Sequence, residues 1–396
     1  MSDVSALDAL SSAIARRLAE RRRASDAFFP ECADRLARAC HEMSKRFLDG
    51  GRLLAFGLTP QARSDVRHVA VEFVHPVIVG KRALPAIGLY EPDELALLAE
   101  PADIVMAFGE PADGPALGQA VERARAGGGL TVAFAPLGAE WTFEPPSPDP
   151  FIRQELVETG YHVLWELVHV FFEHEGHHAQ GGGAASFLYP FLDERRGDAD
   201  AVIAAVRESA LMKAAEVQEL RERTLEGSAG PLAAAATALR SSFAAGGRLL
   251  ALGNGGSATD AMDLVADVAA AGRPAIDLTA DSAIITAVAN DIGAEAVFAR
   301  QVIAYGRPGD VLIALSTSGS SPSMVSALAE SRRRGLHTVA FVGYDGGRVA
   351  AEALADHVVI TPSQHIPRIQ EAQATAYHLL RELAVSADPG PRRYDP

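Results

Sequence analysis

One eight-residue phrase occurs twice in the chain: Gly50 to Gly57 reads GGRLLAFG, and Gly246 to Gly253 reads GGRLLALG, 196 residues further on. Agreement of this length marks a duplication. The copies stay in order beyond it. LPAIGL from Leu84 answers RPAIDL from Arg273, PADIVMAFG from Pro101 answers PGDVLIALS from Pro308, and TVAF from Thr131 answers TVAF from Thr338. The offset widens from 196 to 207 because the C-terminal copy holds extra sequence around Thr279 to Gly306. A length of 396 residues also favours two domains over one. They are expected at residues 1–192 and 198–388.

Each copy opens with helix-period sequence, roughly Ala6 to Leu48 and Ala199 to Ala245. Short apolar runs then alternate with longer amphipathic stretches. Leu53 to Phe56, Ile104 to Phe108, Leu249 to Leu252 and Val311 to Leu315 fit strands of a parallel sheet buried on both faces. The expected fold class is α/β, with two doubly wound parallel sheets in tandem. Gln180 to Asp200, with three successive glycines and then FLYPFLDERRGD, breaks the pattern and reads as the linker. Its apolar stretch Phe187 to Leu192 is expected to pack against a domain.

At 48% hydrophobic and 22% charged residues, the composition supports large cores. The net charge of −15, with scattered basic residues, leaves no concentrated positive surface for a nucleic acid backbone. No stretch reaches the roughly 18 apolar residues of a membrane span, and Met1 to Leu10 has no basic region before a long apolar run. A cytoplasmic location is expected, with no nucleic acid or membrane partner. Cys32 and Cys40 stand about 12 Å apart along a helix axis, too far for a disulfide. They read as reduced helix residues.

Two loops carry the chemistry of anion binding. After the strand ending at Leu252 comes GNGGSATDAMD, whose small residues bare backbone N–H groups at the start of a helix. After the strand ending at Leu315 comes STSGSSPS, Ser316 to Ser323, with several hydroxyls and a glycine that lets the chain close around an oxyanion. Both follow the carboxyl ends of strands, where open α/β sheets hold ligands.

The C-terminal copy resembles the phosphoheptose isomerase branch of the sugar isomerase (SIS) family over nearly its whole length. The resemblance rests on GNGGSATDAM, AVANDIGAEAVFARQV, GRPGDVLIALSTSGSSPS, GYDGG and RIQEAQATAYHLL. It implies flavodoxin-like SIS domains and a phosphorylated sugar held by Asn254, Gly255, Gly256, Ser257, Asn290, Asp291, Ser316, Thr317, Ser318 and Ser321, with Gln370 beside them. By itself, Asn290-Asp291 would read as a turn.

In that family the helix after the glycine loop carries a His and a Glu four residues apart, and the last helix a Gln and a His eight apart. These are its metal ligands and catalytic groups. Such spacings put each pair on one helix face. The C-terminal copy keeps Gln370 and His378 but has Asp263 and Asp267 in place of the His and Glu. The N-terminal copy has the full quartet, His68, Glu72, Gln154 and His162. Its loops depart instead: GLTPQARS and GEPADG replace the phosphate loops, and Glu110 and Asp113 would repel a phosphate. The bland readings are a surface pair for His68 and Glu72 and a polar stripe for Gln154 and His162.

HEGHH, with His174, His177 and His178, reads as a solvated helix end rather than a metal site. Trp141 and Trp165 read as packing residues. The three lysines, Lys45, Lys81 and Lys213, fall in no motif, which disfavours a Schiff base.

What the resemblance implies is aldose-ketose isomerisation of a phosphorylated sugar such as sedoheptulose 7-phosphate through an enediol. The expectation is a composite site between the repeats. The second copy would grip phosphate, and the first would add a divalent metal, zinc above all, on His68, Glu72, Gln154 and His162. Glu72, or failing that Asp267, would be the base, and His162 or His378 its acid partner. A dimer of chains would imitate a tetramer of SIS domains. The alternative is a non-catalytic phosphosugar-binding regulator or assembly protein. Glucosamine-6-phosphate synthase also has tandem SIS domains, but its glutaminase domain and N-terminal nucleophilic cysteine have no counterpart here.

Overall fold

A computed structural model of the chain describes residues 3–77, 81–174 and 199–385. It contains two parallel five-stranded sheets. The first-half elements are α1 (Asp3–Leu48), β1 (Leu53–Gly57), α2 (Pro60–Val74), β2 (Ala86–Leu89), α3 (Pro92–Leu98), β3 (Ile104–Phe108), α4 (Pro115–Ala126), β4 (Leu130–Ala133), β5 (Trp141–Thr142) and α5 (Pro150–His174). The second half has α6 (Ala199–Ala244), β6 (Leu249–Leu252), α7 (Gly256–Ala270), β7 (Ala275–Asp277), α8 (Ser282–Asp291), α9 (Val297–Tyr305), β8 (Val311–Ser316), α10 (Pro322–Arg333), β9 (His337–Gly343), α11 (Gly347–Ala351), β10 (His357–Thr361) and α12 (Ile366–Val385).

The sheets share one topology, as duplication predicts. The first runs β2-β1-β3-β4-β5, and the second, read from its β7 edge, runs β7-β6-β8-β9-β10. This is the doubly wound order with a reversal beside the first strand, where ligands bind. Central strands β1, β3, β6 and β8 are buried along their whole length, whereas edge strands β2 and β7 are partly exposed. The apolar runs read from sequence are therefore the sheet centres. The extra sequence of the second copy is α8, a 3-10 turn at Ala294–Ala296 and α9, inserted where the first copy has only α3.

The chain divides into two compact units, Arg21–Glu216 and Met1–Glu20 with Val217–Pro396. Each sheet falls in its expected half, and each 46-residue helix, α1 and α6, runs through a unit boundary. In the second-half unit, Ile14 and Leu18 of α1 pack on the core formed by Leu249, Ile313 and Phe341.

The duplicated phrase has a structural cause in both copies. Gly50 (φ +87°) and Gly246 (φ +80°) turn the chain out of α1 and α6 through the left-handed region. Arg52 and Arg248 then tie the start of the first strand to its neighbour. Arg52 N and Nη2 donate to Asp103 Oδ1 and Oδ2 at 2.8 and 2.7 Å, and Arg248 N and Nη2 donate to Asp310 Oδ1 and Oδ2 at 2.9 and 3.0 Å.

The last helix of each repeat is buried nearly all round, Glu155 to Phe172 on α5 and Pro367 to Leu380 on α12. Polar side chains on these helices must find partners inside the protein. Arg21 makes a buried pair with Glu155 (2.9 Å) and Arg368 with Glu371 (2.7 Å). Cys32 and Cys40 are buried free thiols, and burial drives both pKa values upward, that of Cys32 to about 12. Trp165 is fully buried and Trp141 packs against the same core, as packing residues should.

Candidate functional site

Parallel pairing of β6 with β8 brings their carboxyl ends side by side. The two Ser/Gly loops therefore meet. Asn254 Nδ2 donates to Ser321 Oγ (2.9 Å) and Ser323 Oγ (3.1 Å), joining the first loop to the second. Gly255 (φ +59°) caps α7 and leads into Gly256 and the buried Ser257. Buried Ser316 accepts from Gly319 N at 3.2 Å, and its carbonyl accepts from Gln373 Nε2 of α12 at 3.2 Å.

The GYDGG turn backs this loop. Arg348 N donates to Ser320 Oγ (3.1 Å) and Val349 N to Gly319 O (3.0 Å). Gly319 has φ +61°, and a Cβ there would lie 2.3 Å from Gly346 O. A Cβ on Gly343 would lie 2.3 Å from the Thr317 carbonyl. Ser318 Oγ accepts from Ser320 N at 3.3 Å. Hydroxyls and backbone amides are thus gathered at a helix start, a chemistry suited to an anion. Asn290 and Asp291 end α8 as exposed residues, hydrogen-bonded to each other at 2.8 Å.

The corresponding turn of the first-half unit is occupied by its own residues. Thr59 caps α2, its Oγ1 accepting from Ala62 N, and Pro60 at the first helical position has no N–H to offer. Glu110, in place of the second loop, accepts from Arg153 Nε and Nη2 at 2.9 and 2.6 Å. Asp113 Oδ2 accepts from Glu110 N at 2.7 Å. A carboxylate and an arginine thus pair where the other unit has its hydroxyl loop.

Helices α2 and α5 bring His68, Glu72, Gln154 and His162 into one unit, all but Gln154 almost fully buried. His162 Nε2 lies 3.3 Å from His68 Nε2, and Tyr161 Oη lies 3.0 Å from His68 Nδ1. Glu72 Oε1 is 4.0 Å from His68 Nε2, while Glu72 Oε2 has no hydrogen-bond partner. Burial, reinforced by the charge of Glu166, pushes the Glu72 carboxyl up to about 8. Gln154 Nε2 donates to Asp65 Oδ1 at 3.4 Å. Glu158, one turn before His162, completes a group of three metal-capable side chains, His68, Glu158 and His162, whose ligand atoms all lie within 4.8 Å of one another.

The second-half unit repeats this geometry with a carboxylate in the histidine position. Tyr377 Oη donates to Asp263 Oδ2 at 3.0 Å, and His378 Nε2 lies 3.2 Å from the same oxygen. Asp267 Oδ2 is 3.7 Å from His378 Nε2. Burial and the neighbouring Asp263 charge push the Asp267 carboxyl up to about 7, against the opposing pull of His378 and Arg381. Asp263, Asp267 and His378 also form a group that could hold a metal ion. Gln370 lies buried on the same helix.

Glu158, Tyr161 and Tyr377 are the functional candidates that sequence reasoning missed. For the tyrosines a signal existed: Gln154, Glu155, Thr159, Tyr161 and His162 recur at the same spacing as Gln370, Glu371, Thr375, Tyr377 and His378. Among the weaker candidates, Lys213 is buried in an ion pair with Glu166, and Lys45 pairs with Glu42 at the surface. His177, His178, the His174 side chain and the stretch Phe187 to Leu192 lie outside the described residues. No described helix is long and apolar enough to cross a membrane.

Residues 214–343 match the SIS domain family. The fold agrees: the C-terminal domain of glucosamine-fructose-6-phosphate aminotransferase from Francisella tularensis superposes with TM-score 0.56 at 10% identity, covering 92% of this chain and 95% of that one. Tagatose-6-phosphate ketose/aldose isomerase from Escherichia coli does so with TM-score 0.56 at 14% identity, covering 94% and 92%. Sheet order, glycine loop and hydroxyl loop together define a tandem SIS-domain protein.

Sequence narrows the class further. The phosphoheptose isomerase of Roseiflexus sp. (strain RS-1) is 43% identical over 174 residues, 42% of this chain and 86% of the relative. That of Chlorobium phaeobacteroides is 40% identical over 201 residues, 48% of this chain and 84% of the relative. The chain belongs to the phosphoheptose isomerase family.

Proposed function

We propose that the chain is an aldose-ketose isomerase of a phosphorylated sugar, most like sedoheptulose 7-phosphate. The observation that carries this reading is the bridge from Asn254 to Ser321 and Ser323, which makes one phosphate cradle of two loops. A phosphate bound there accepts from backbone amides of the α7 start and from the hydroxyls of Ser257, Ser316, Ser318 and Ser321. Gly255, Gly256 and Thr317 line it, and Asn290, Asp291 and Gln370 belong to the sugar-contacting set that the family resemblance supplies.

The reaction moves a proton between adjacent carbons. A carboxylate takes the proton from the carbon beside the carbonyl while an acid protonates the carbonyl oxygen, giving the enediol; the neighbouring hydroxyl then loses its proton to become the new carbonyl as the former carbonyl carbon takes one up. Asp267 with His378 is the acid-base pair of the cradle's own unit, held 3.7 Å apart. Glu72 with His162 is the corresponding pair of the first-half unit. A divalent metal, zinc by preference, would be held by His68, Glu72, Gln154 and His162 and would supply Lewis-acid polarisation of sugar oxygens. Two imidazoles and the buried Glu72 carboxylate, whose Oε2 has no hydrogen-bond partner, suit such an ion.

The test is incubation of the full chain with sedoheptulose 7-phosphate in D2O. Deuterium should enter the carbon beside the carbonyl together with formation of the isomer. A second reading, a sugar-phosphate receptor without turnover, is favoured by Asp263, which occupies the family's histidine position and takes up His378 Nε2. Saturable binding with neither exchange nor product selects the receptor.

A further inference from the structure

We infer that Glu158 supplies a further donor to the metal site built on His68 and His162, and that Tyr161 is a positioning residue for it. Two nitrogens bound at about 2.0–2.1 Å to a tetrahedral ion stand about 3.3–3.4 Å apart. His68 Nε2 and His162 Nε2 lie 3.3 Å apart, within hydrogen-bond reach of each other and at the separation that two ligands of one such ion would keep. The Glu158 carboxylate belongs to the same 4.8 Å group, from the α5 turn that precedes His162.

Tyr161 holds the His68 ring through Nδ1, which lies 3.0 Å from its hydroxyl. With an ion on Nε2, Nδ1 would carry the proton and donate it to the Tyr161 oxygen. The buried, unpartnered Glu72 Oε2 independently marks a ligand missing from the polar balance of this pocket. The second-half unit underlines the point. Ala374 stands at the position of Glu158 and Asp263 at that of His68, so there the tyrosine hydroxyl donates to a carboxylate instead.

This inference deepens the metal part of the proposed function, and its test reads metal alone. The chelator-stripped full chain is titrated with Zn2+ against a chromophoric chelator, and the visible absorption of its Co2+ form is recorded. The parent should take up one more equivalent of Zn2+ than the double variant His68→Ala, His162→Ala. Glu158→Gln should raise Kd more than tenfold and change the Co2+ band, and by more than Glu72→Gln does. Tyr161→Phe should raise Kd about tenfold while keeping the band shape.

Glu158→Gln with the parent's Kd and Co2+ spectrum overturns the assignment, as does a parent that binds no more metal than the double variant. Tyr161→Phe with an unchanged Kd removes the positioning role. If circular dichroism shows Glu158→Gln unfolded, Glu158→Asp reads the same question, since its retracted carboxylate should weaken binding and an unchanged Kd counts against the donor. Metal uptake without sugar turnover leaves this site standing and overturns only the isomerase.

Discussion

His378 Nε2 and Asp263 Oδ2 stand 3.2 Å apart, nearly the separation of His162 Nε2 and His68 Nε2 at the equivalent place in the other copy. The duplicated helices hold one geometry, and a single side-chain type changes its chemistry. Two imidazole nitrogens at that distance either share one proton as a hydrogen bond or hold a cation between them. A carboxylate facing an imidazole and a tyrosine hydroxyl satisfies both donors by itself. Asp263→Ala should therefore remove the acceptor of Tyr377 and the nearest carboxylate of His378 and cost about 3–5 kcal/mol, while Asp263→Asn, which keeps an acceptor, should cost less. Urea unfolding midpoints measure the difference, and equal losses would show that the carboxylate oxygen is not what the two donors need.

Asp267 should make stability fall as pH rises. Its folded-state pKa is pushed up to about 7 from the usual 3.8, so between those values the folded chain holds a proton that the unfolded chain has released. The unfolding free energy declines across that window and levels off above pH 7. Asp267→Asn removes the titration, so its melting temperature should equal or trail the parent's near pH 4 and exceed it at pH 8. Parallel curves for the two proteins would contradict the shift.

Much of this was legible in the chain. The repeated phrase reported two sheets because Gly50, Arg52, Gly246 and Arg248 each have a backbone or strand-tying task that few other residues perform. The two Ser/Gly loops were legible as turns at strand ends because small residues there let the chain bend from a buried strand into a helix. Glu158 and Tyr161 were not, since a buried helix shows polar residues on every face and spacing alone does not tell which face meets α2. Nor did periodicity show that Ile14 and Leu18 belong to the second-half core, because an uninterrupted helix carries no mark where its neighbours change.

Glycine conformation separates cradle from scaffold. Gly319→Ala places a methyl 2.3 Å from Gly346 O in a residue at φ +61°, so the hydroxyl loop must shift. Gly309 also has positive φ, +87°, but nothing lies within 4 Å of its missing Cβ. Gly319→Ala is expected to raise KM for the sugar phosphate at least tenfold. Gly309→Ala should cost about 1 kcal/mol of stability and leave KM in place. Equal KM values for the two variants would detach the loop from substrate binding.

One phosphate site per chain is expected. Pro60 and the Thr59 cap occupy the helix start of the first-half unit, and Arg153 already neutralises Glu110. Calorimetric titration with the sugar phosphate should give a stoichiometry near one per chain. Ser321→Asp should abolish it by putting a carboxylate into the hydroxyl loop. A stoichiometry of two would mean that the first-half turn opens to accept an anion.

The Arg52 to Asp103 tie should fail with acid. Burial alone would raise the Asp103 pKa, but hydrogen bonds from Arg52 and from the backbone N–H groups of Arg52 and Glu100 hold it below 3.8. A depressed folded-state pKa adds stability that is complete above the unfolded value and disappears as pH falls through the folded one. Asp103→Asn should therefore cost about 2–3 kcal/mol at pH 7, and its deficit against the parent should shrink as pH is lowered below 3.8. Asp103 and Asp267 thus pull the pH profile in opposite directions, the first toward acid lability and the second toward loss at neutral pH. Each slope should vanish only in its own asparagine variant. A deficit in Asp103→Asn that stays constant from pH 7 to pH 3 would show that packing, not the charged tie, holds β1 to β3.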